Sequence, residues 1–189
     1  MNKSTATGLK SSVTRILLAA AVVLSIWTSG ATAQETLGDL MQESGCNYLI
    51  GKWAGETSEG QKYEIEYKWA LKNHVISVHF KGFDIEYHGI IFFKPNEQEV
   101  VQIGVDNNGG TGKGTWFAEY GKATMRNEQQ GEYGEVSRMG FVYTWTDSQT
   151  MKMELYNLDE YGQLSGQPDD TLEYKRQKKQ ATKKTRATK

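Results

Sequence analysis

From Trp53 onward, hydrophobic and polar residues alternate along the chain with a period of two. The clearest segment is Lys62–Trp69, in which every second side chain is aromatic or aliphatic, at Tyr63, Ile65, Tyr67 and Trp69. A strand with one buried face has this period, because successive side chains point to opposite sides of the sheet. The pattern predicts about ten strands, at Trp53–Glu56, Lys62–Trp69, Val75–Phe80, Ile85–Phe93, Glu99–Val105, Gly114–Tyr120, Ala123–Glu128, Arg138–Thr146, Met151–Tyr156 and Thr171–Lys175.

The segments between these strands are short and rich in turn-forming residues, such as Lys72-Asn73 and Asp147-Ser148. They fit hairpins and leave no room for the crossover helices that a parallel sheet requires. An open sheet of so many strands would expose its edges. We therefore predict an all-β fold, an up-and-down antiparallel barrel, with a β-sandwich as the alternative. One short helix is predicted before the first strand, at Thr36–Glu43.

The first 33 residues have the three parts of a secretory signal peptide. Basic residues come first, and the apolar run Ile16–Trp27 that follows is shorter than the ~20 residues that span a membrane. Ala31-Thr32-Ala33 then gives an A-x-A cleavage signature. We expect cleavage before Gln34 and an exported protein, either periplasmic or secreted. An uncleaved N-terminal anchor is the alternative.

After cleavage, residues 34–176 are predicted to form one barrel domain and residues 177–189 a basic tail. Lys175–Lys189 carries eight basic residues and no acid, whereas Glu35–Glu173 has 23 acids against eleven basic residues. A polar segment without apolar anchors is expected to be disordered. Such a tail either contacts a polyanion or anionic lipid headgroups, or is simply solvated. The single cysteine, Cys46, excludes an internal disulfide.

The segment Tyr48–Glu56 (YLIGKWAGE) resembles the F-L-x-G-x-W-x-G opening of a bacterial family of domains of unknown function, which are exported calycin-like (lipocalin-like) barrels. Thr171–Arg176 is similar to the closing strand of that family, and Tyr67–Leu71 and Tyr87–Ile90 are similar to two strands between. The resemblance covers about Leu40–Arg176 and implies a calycin-like barrel. It implies no activity, because the family has none assigned.

Within this motif, three residues are expected to have structural roles. Gly51 and Gly55 would allow close approach of the backbone. Trp53 would plug the closed end of the barrel, which makes it a core residue rather than a catalytic one.

The hairpin around residue 83 carries two of the three histidines. A turn at Gly82-Phe83 would place His79 opposite Glu86 and Ser77 opposite His88. Two imidazoles and a carboxylate at this spacing could bind a divalent metal or act as acid and base. The opposite face should be the buried one, since it carries Ile76, Val78, Phe80, Ile85, Tyr87 and Ile91. We therefore interpret His79, Glu86 and His88 as a solvated polar face and only as weak candidates for metal ligands.

Other chemistry finds no support in the sequence. Asn107–Thr115 (NNGGTGKGT) lacks the glycine and the Ser or Thr that a phosphate-binding loop needs, and is expected to be a flexible hairpin loop. The haem-binding nitrobindins share the G-x-W-x-G opening, but their haem is held by a late histidine, and no histidine follows His88 here. We expect no cofactor and predict no catalytic residue.

The interior of the barrel remains as the candidate site. A small barrel either fills its centre with side chains or holds one small ligand. We expect binding of a small apolar or amphipathic molecule, by residues on two inward rows: Tyr63, Ile65, Tyr67, Trp69, Phe141, Tyr143 and Trp145. The alternatives are a ligand-free barrel that acts through its surface or tail and, less favoured, an enzyme that uses the histidine hairpin.

Overall fold

Ten strands follow a short helix and a 3-10 turn in the computed structural model, which describes residues 35–178. Helix α1 spans Leu37–Glu43, and the 3-10 turn spans Cys46–Leu49. The strands are β1 (Gly51–Glu56), β2 (Lys62–Leu71), β3 (Val75–Gly82), β4 (Ile85–Lys94), β5 (Glu99–Asp106), β6 (Thr111–Glu119), β7 (Lys122–Gln130), β8 (Val136–Asp147), β9 (Thr150–Asn157) and β10 (Asp170–Arg176). The predicted signal peptide and all but the first two residues of the predicted tail lie outside the described residues.

Each strand pairs antiparallel with its neighbours in sequence, and β1 pairs with β10, so that the sheet closes into a barrel. The predicted up-and-down barrel is therefore confirmed, and the alternative β-sandwich is excluded. All ten predicted strands are present, with ends that differ from the prediction by at most three residues. Among residues 35–178, no helix is long and apolar enough to cross a membrane.

Helix α1 lies across the end of the barrel at which β1 begins, and we call this the helix-capped end. Thr36 caps the helix through a capping box with Asp39, so the predicted helix at Thr36–Glu43 is confirmed with Thr36 as its N-cap. The backbone N–H of Gly38 donates to the carbonyl of Asn73 at 2.9 Å, and the N–H of Gly121 donates to the carbonyl of Ser44 at 2.7 Å. These bonds tie the helical segment to the β2–β3 and β6–β7 turns.

The three residues of the G-x-W-x-G motif, Gly51, Trp53 and Gly55, all lie in β1 and make close contacts there. Trp53 is fully buried, and its indole N–H donates to the carbonyl of Leu49 at 3.0 Å. A Cβ on Gly51 would lie 2.6 Å from Nη1 of Arg176, and a Cβ on Gly55 would lie 2.3 Å from the carbonyl oxygen of Glu173. Gly55 therefore leaves no room for a side chain, because the atom it would meet belongs to the backbone. At Gly51 the φ of 144° is the stronger reason, since residues with a side chain rarely adopt it.

The turn between β3 and β4 differs from the prediction. Phe83 and Asp84 form it, with φ of 55° and 63°, as a two-residue hairpin turn with two positive φ angles requires. The predicted turn at Gly82-Phe83 is wrong by one position, because Gly82 is the last residue of β3 and not part of the turn. A Cβ on Gly82 would lie 2.7 Å from Cβ of Tyr63, so the glycine makes room on the paired strand β2.

This turn shifts the pairing of β3 with β4 by two residues, so every side chain keeps the predicted face. His79 lies opposite His88 rather than Glu86, and Ser77 lies opposite Ile90 rather than His88. Ile85 was expected to be buried, but it is 40 % exposed, because its pairing with Gly82 places it next to the turn.

The glycine-rich segment Asn107–Thr115 also differs from the prediction. It contains less loop than expected, because β6 begins at Thr111. The turn before β6 is held by Asp106, whose Oδ1 accepts hydrogen bonds of 2.9 Å from the backbone N–H groups of Asn108 and Gly110. A carboxylate that binds its own turn in this way favours one loop conformation.

Candidate functional site

A cavity of about 520 Å³ lies between α1 and the inward faces of β2–β7, at the helix-capped end. We call it the α1 cavity. Its apolar wall comes from the helix and from the barrel interior, and includes Leu37, Met41, Tyr67, Ile76, Ile91 and Trp116. Leu37 and Met41 are one helical turn apart, so they lie on the same face of α1, and both are buried.

Trp116 is the tryptophan that lines this cavity. Its indole N–H donates to Oε1 of Gln102 at 3.1 Å, and Nε2 of Gln102 donates to the hydroxyl of Tyr87 at 3.1 Å. Gln102 is itself buried, so these bonds satisfy polar groups inside the barrel. Because its N–H is already bound to Gln102, Trp116 offers a ligand its ring surface rather than a hydrogen bond.

An aromatic layer lies beneath the α1 cavity. The rings of Tyr67 and Tyr143 meet edge to face at 6.4 Å, and the ring of Trp116 stacks on Tyr143 at 5.4 Å. Burial raises the pKa of Tyr143 to about 12 and raises the pKa of Tyr67 well above its ordinary value. Both hydroxyls are therefore neutral at physiological pH, and the layer presents an uncharged surface.

Two carboxylates lie at the edge of the cavity, on Glu43 of α1 and Glu119 of β6. Both residues are exposed. Among the described residues, the cavity lining contains no lysine, arginine or histidine. The charged residues of the lining are therefore both acidic.

The side chains predicted to bind a ligand are only partly brought together. Tyr67 lines the α1 cavity. Three of the others are buried in the core, namely Tyr63, Ile65 and Tyr143, and two are partly buried and pack against it, namely Trp69 and Phe141. They lie on the inward side of the barrel, as expected, but do not border the α1 cavity.

Trp145 departs most from its predicted position. Its side chain is 51 % exposed, and its ring stacks on that of Tyr48 at 6.1 Å. The pairing of β8 with β9 is irregular between Trp145 and Asp147. Trp145 pairs with the buried Met151 before this irregularity, so it keeps the inward face of β8. It is exposed because it lies near the end of the strand, and it does not line the α1 cavity.

The main contributors to the cavity, above all Trp116 and the helix residues Leu37 and Met41, were not among the predicted site residues. A signal for Trp116 was available, because β6 alternates and its inward positions before Trp116 are Gly112 and Gly114. This alternation places Trp116 on the inward face, but it does not show that the ring borders an open space. Nothing in the sequence indicated where α1 would lie on the barrel.

On the outer surface, His79, Glu86 and His88 form what we call the imidazole–carboxylate cluster. Nε2 of His79 lies 2.9 Å from Oε1 of Glu86, and Nε2 of His88 lies 3.6 Å from the same oxygen. The two imidazole rings stack at 4.2 Å. The hydrogen bond from His79 and the charge of Lys81 lower the pKa of Glu86. The cluster is solvent-facing, as the sequence predicted.

The chain matches no known family model, and none of the curated proteins compared with it matches either. The candidate functional sites are therefore the α1 cavity and the outer surface of the barrel.

Proposed function

We propose that this chain is an exported β-barrel that binds a small apolar or amphipathic molecule in the α1 cavity. The observation that carries the proposal is a cavity of small-molecule size that is lined by apolar side chains of α1 and of the barrel interior. A volume of about 520 Å³ falls within the roughly 300–1,000 Å³ of typical small-molecule sites. Its walls combine aliphatic side chains with the ring of Trp116, so burial of apolar ligand surface is the driving force.

The charge at the opening narrows the choice of ligand. An anionic head group would lie near Glu43 and Glu119, which line the cavity, and would be repelled. A neutral or cationic head group avoids this cost, and a cationic one gains from it. We therefore favour a neutral or cationic amphipathic molecule over a fatty acid.

Fluorescence titration tests this proposal with three probes of the same chain length: a monoacylglycerol, an alkyltrimethylammonium ion and a fatty acid. The neutral and cationic probes should give saturable changes in tryptophan emission, and the fatty acid should bind more weakly. The difference between the charged probes should shrink at high salt, because screening weakens exposed charge interactions. Absence of saturable binding by all three probes would overturn the proposal.

Two tryptophan variants locate the binding. Trp116→Phe should remove most of the emission change, because Trp116 lines the α1 cavity. Trp145→Phe is the matched control, because Trp145 is half exposed and is not part of the lining. Equal loss of signal in the two variants would show that the probe binds elsewhere.

The closed ten-stranded barrel and the buried Trp53 support a second part of the proposal, namely a relationship to the exported calycin-like domains that Tyr48–Glu56 resembles.

An alternative function, a barrel that acts through its surface, is favoured by one observation. Ile90 and Ile103 pair across β4 and β5 and are 39 % and 43 % exposed. A failed titration with every probe would leave that outer face, or the basic tail, as the site of action.

A further inference from the structure

The imidazole–carboxylate cluster owes its geometry to the observed register of β3 and β4. The turn at Phe83-Asp84 places His79 directly opposite His88. Side chains of directly opposite residues on one face of an antiparallel pair are close neighbours, with Cβ atoms about 5 Å apart. The predicted register would have separated the two imidazoles along the hairpin. The observed register brings them together beside Glu86.

The distances fit a transition-metal ion. Zinc binds imidazole nitrogen and carboxylate oxygen at about 2.0–2.2 Å, so tetrahedral ligand atoms lie roughly 3.4 Å apart. The two nitrogen–oxygen distances of the cluster are 2.9 Å for His79 and 3.6 Å for His88. All three ligand atoms lie within 4.8 Å of one another. The two imidazole rings are nearly parallel, at 12°, so the rings must turn from this stacked arrangement for both nitrogens to face one ion.

We propose that His79, Glu86 and His88 form a surface site for a divalent transition metal such as Zn²⁺. The ligands are the Nε2 atoms of both histidines and a carboxylate oxygen of Glu86, and water completes the coordination. A set of two imidazoles and one carboxylate suits zinc or copper, whereas magnesium and calcium prefer oxygen ligands alone. The site is independent of the α1 cavity, because it lies on the outer face of the barrel.

Solvent exposure and neighbouring charge determine how tightly the cluster can bind a metal ion. Side-chain exposure of 36 % for His79 and 63 % for His88 leaves both histidines accessible to an ion from solution. Lys81 lies 3.7 Å from Oε2 of Glu86 and opposes a bound cation. Removal of this charge by Lys81→Gln should strengthen metal binding by up to about fivefold, the scale of an exposed charge interaction.

Histidine and cysteine ligands outside the cluster are few in this chain. His74 is the third histidine and precedes β3, outside the cluster. Cys46 is buried. Residues 1–34 and 179–189 contain no histidine, cysteine, aspartate or glutamate. The three histidines therefore provide an internal comparison between two cluster positions and one control position.

NMR of the histidine side chains during a Zn²⁺ titration of the full chain tests the proposal. The imidazole signals of His79 and His88 should shift together and saturate at one equivalent, while those of His74 should not. The proposal would be overturned if all three histidines shifted alike, or if none shifted saturably.

Calorimetric Zn²⁺ titrations of variants provide a second readout. His79→Gln, His88→Gln and Glu86→Gln should each weaken binding at least tenfold, and His74→Gln should leave it unchanged. All four positions are on the surface or partly exposed, so thermal melting should show that each variant is folded. Wild-type affinity in the His79→Gln/His88→Gln double variant would refute the site.

Discussion

The guanidinium carbon of Arg176 lies 4.0 Å from the centre of the Trp53 ring, which joins the last strand of the barrel to the first. Arg176 also donates hydrogen bonds of 3.0 Å to the carbonyl of Ile50 and 2.7 Å to the carbonyl of Tyr48. One side chain thus satisfies two carbonyls just before β1 and covers the indole. These contacts of Arg176 stabilise the junction of β10 with β1 at the helix-capped end.

Replacement of Trp53 by alanine should lower the free energy of unfolding by about 3–5 kcal/mol, the range for a large buried aromatic side chain. The loss includes the hydrogen bond to Leu49 and the ring surface under Arg176. Urea unfolding of wild type and variant measures it. Trp145→Ala is the control and should cost much less, because Trp145 is half exposed. A cost below about 1 kcal/mol for Trp53→Ala would contradict its role in the core.

The strand pattern could be predicted because it is local. In β2, the alternation from Tyr63 to Tyr67 correctly indicates which face of the strand is buried. The turn after β3 could not be placed from the sequence, because Gly82 looks like a turn residue. Position 82 must be glycine because a Cβ there would be too close to Tyr63. Tyr63 is distant in sequence, and this contact is known only once β2 and β3 are paired.

The candidate site was harder to predict for the same reason. Tyr143 and Trp116 are both inward aromatic residues, and nothing in their own strands shows which of them borders an open space. That depends on α1, whose position is fixed by backbone hydrogen bonds with distant turns, such as that from Gly38 to Asn73. Local patterns indicate which face is buried, but they do not indicate what packs against that face.

The mature chain should begin at Gln34. This follows from the basic start, the short apolar run and the Ala31-Thr32-Ala33 signature. Mass spectrometry of the intact exported protein and of its N-terminal peptide should find Gln34, or its cyclised form, as the first residue. An intact Met1 on membrane-associated protein would instead support the uncleaved anchor.

Removal of Lys178–Lys189 should leave the melting temperature nearly unchanged. The segment contains no large apolar side chain, so it has little surface to bury against the barrel. Differential scanning calorimetry of the truncated and full-length chains makes the comparison. A loss of several degrees would show that the segment docks on the domain. Loss of a salt-sensitive affinity for a polyanion would support the binding role of the tail.

Alkaline pH should destabilise the fold through the buried tyrosines. The pKa of Tyr143 is raised to about 12, whereas an unfolded tyrosine has a pKa of about 10. The unfolded state therefore loses its proton first, so this contribution to stability is complete below pH 10 and is lost as pH rises toward 12. Urea unfolding at pH 9 and at pH 11 should show lower stability at pH 11. Tyr143→Phe should reduce that difference, and an unchanged difference would show that Tyr143 is not responsible.

Obstruction of the α1 cavity should abolish ligand binding without unfolding the protein. Ala118 lines the cavity and is exposed, so Ala118→Trp should place an indole in its opening without overpacking the core. We expect at least a tenfold loss of affinity for the alkyltrimethylammonium probe, measured by calorimetry so that the added tryptophan does not interfere. Ala70→Trp is the matched control, because Ala70 is an exposed alanine of β2 outside the cavity lining. If the Ala118 variant is folded and binds as tightly as the Ala70 variant, the ligand does not occupy the α1 cavity.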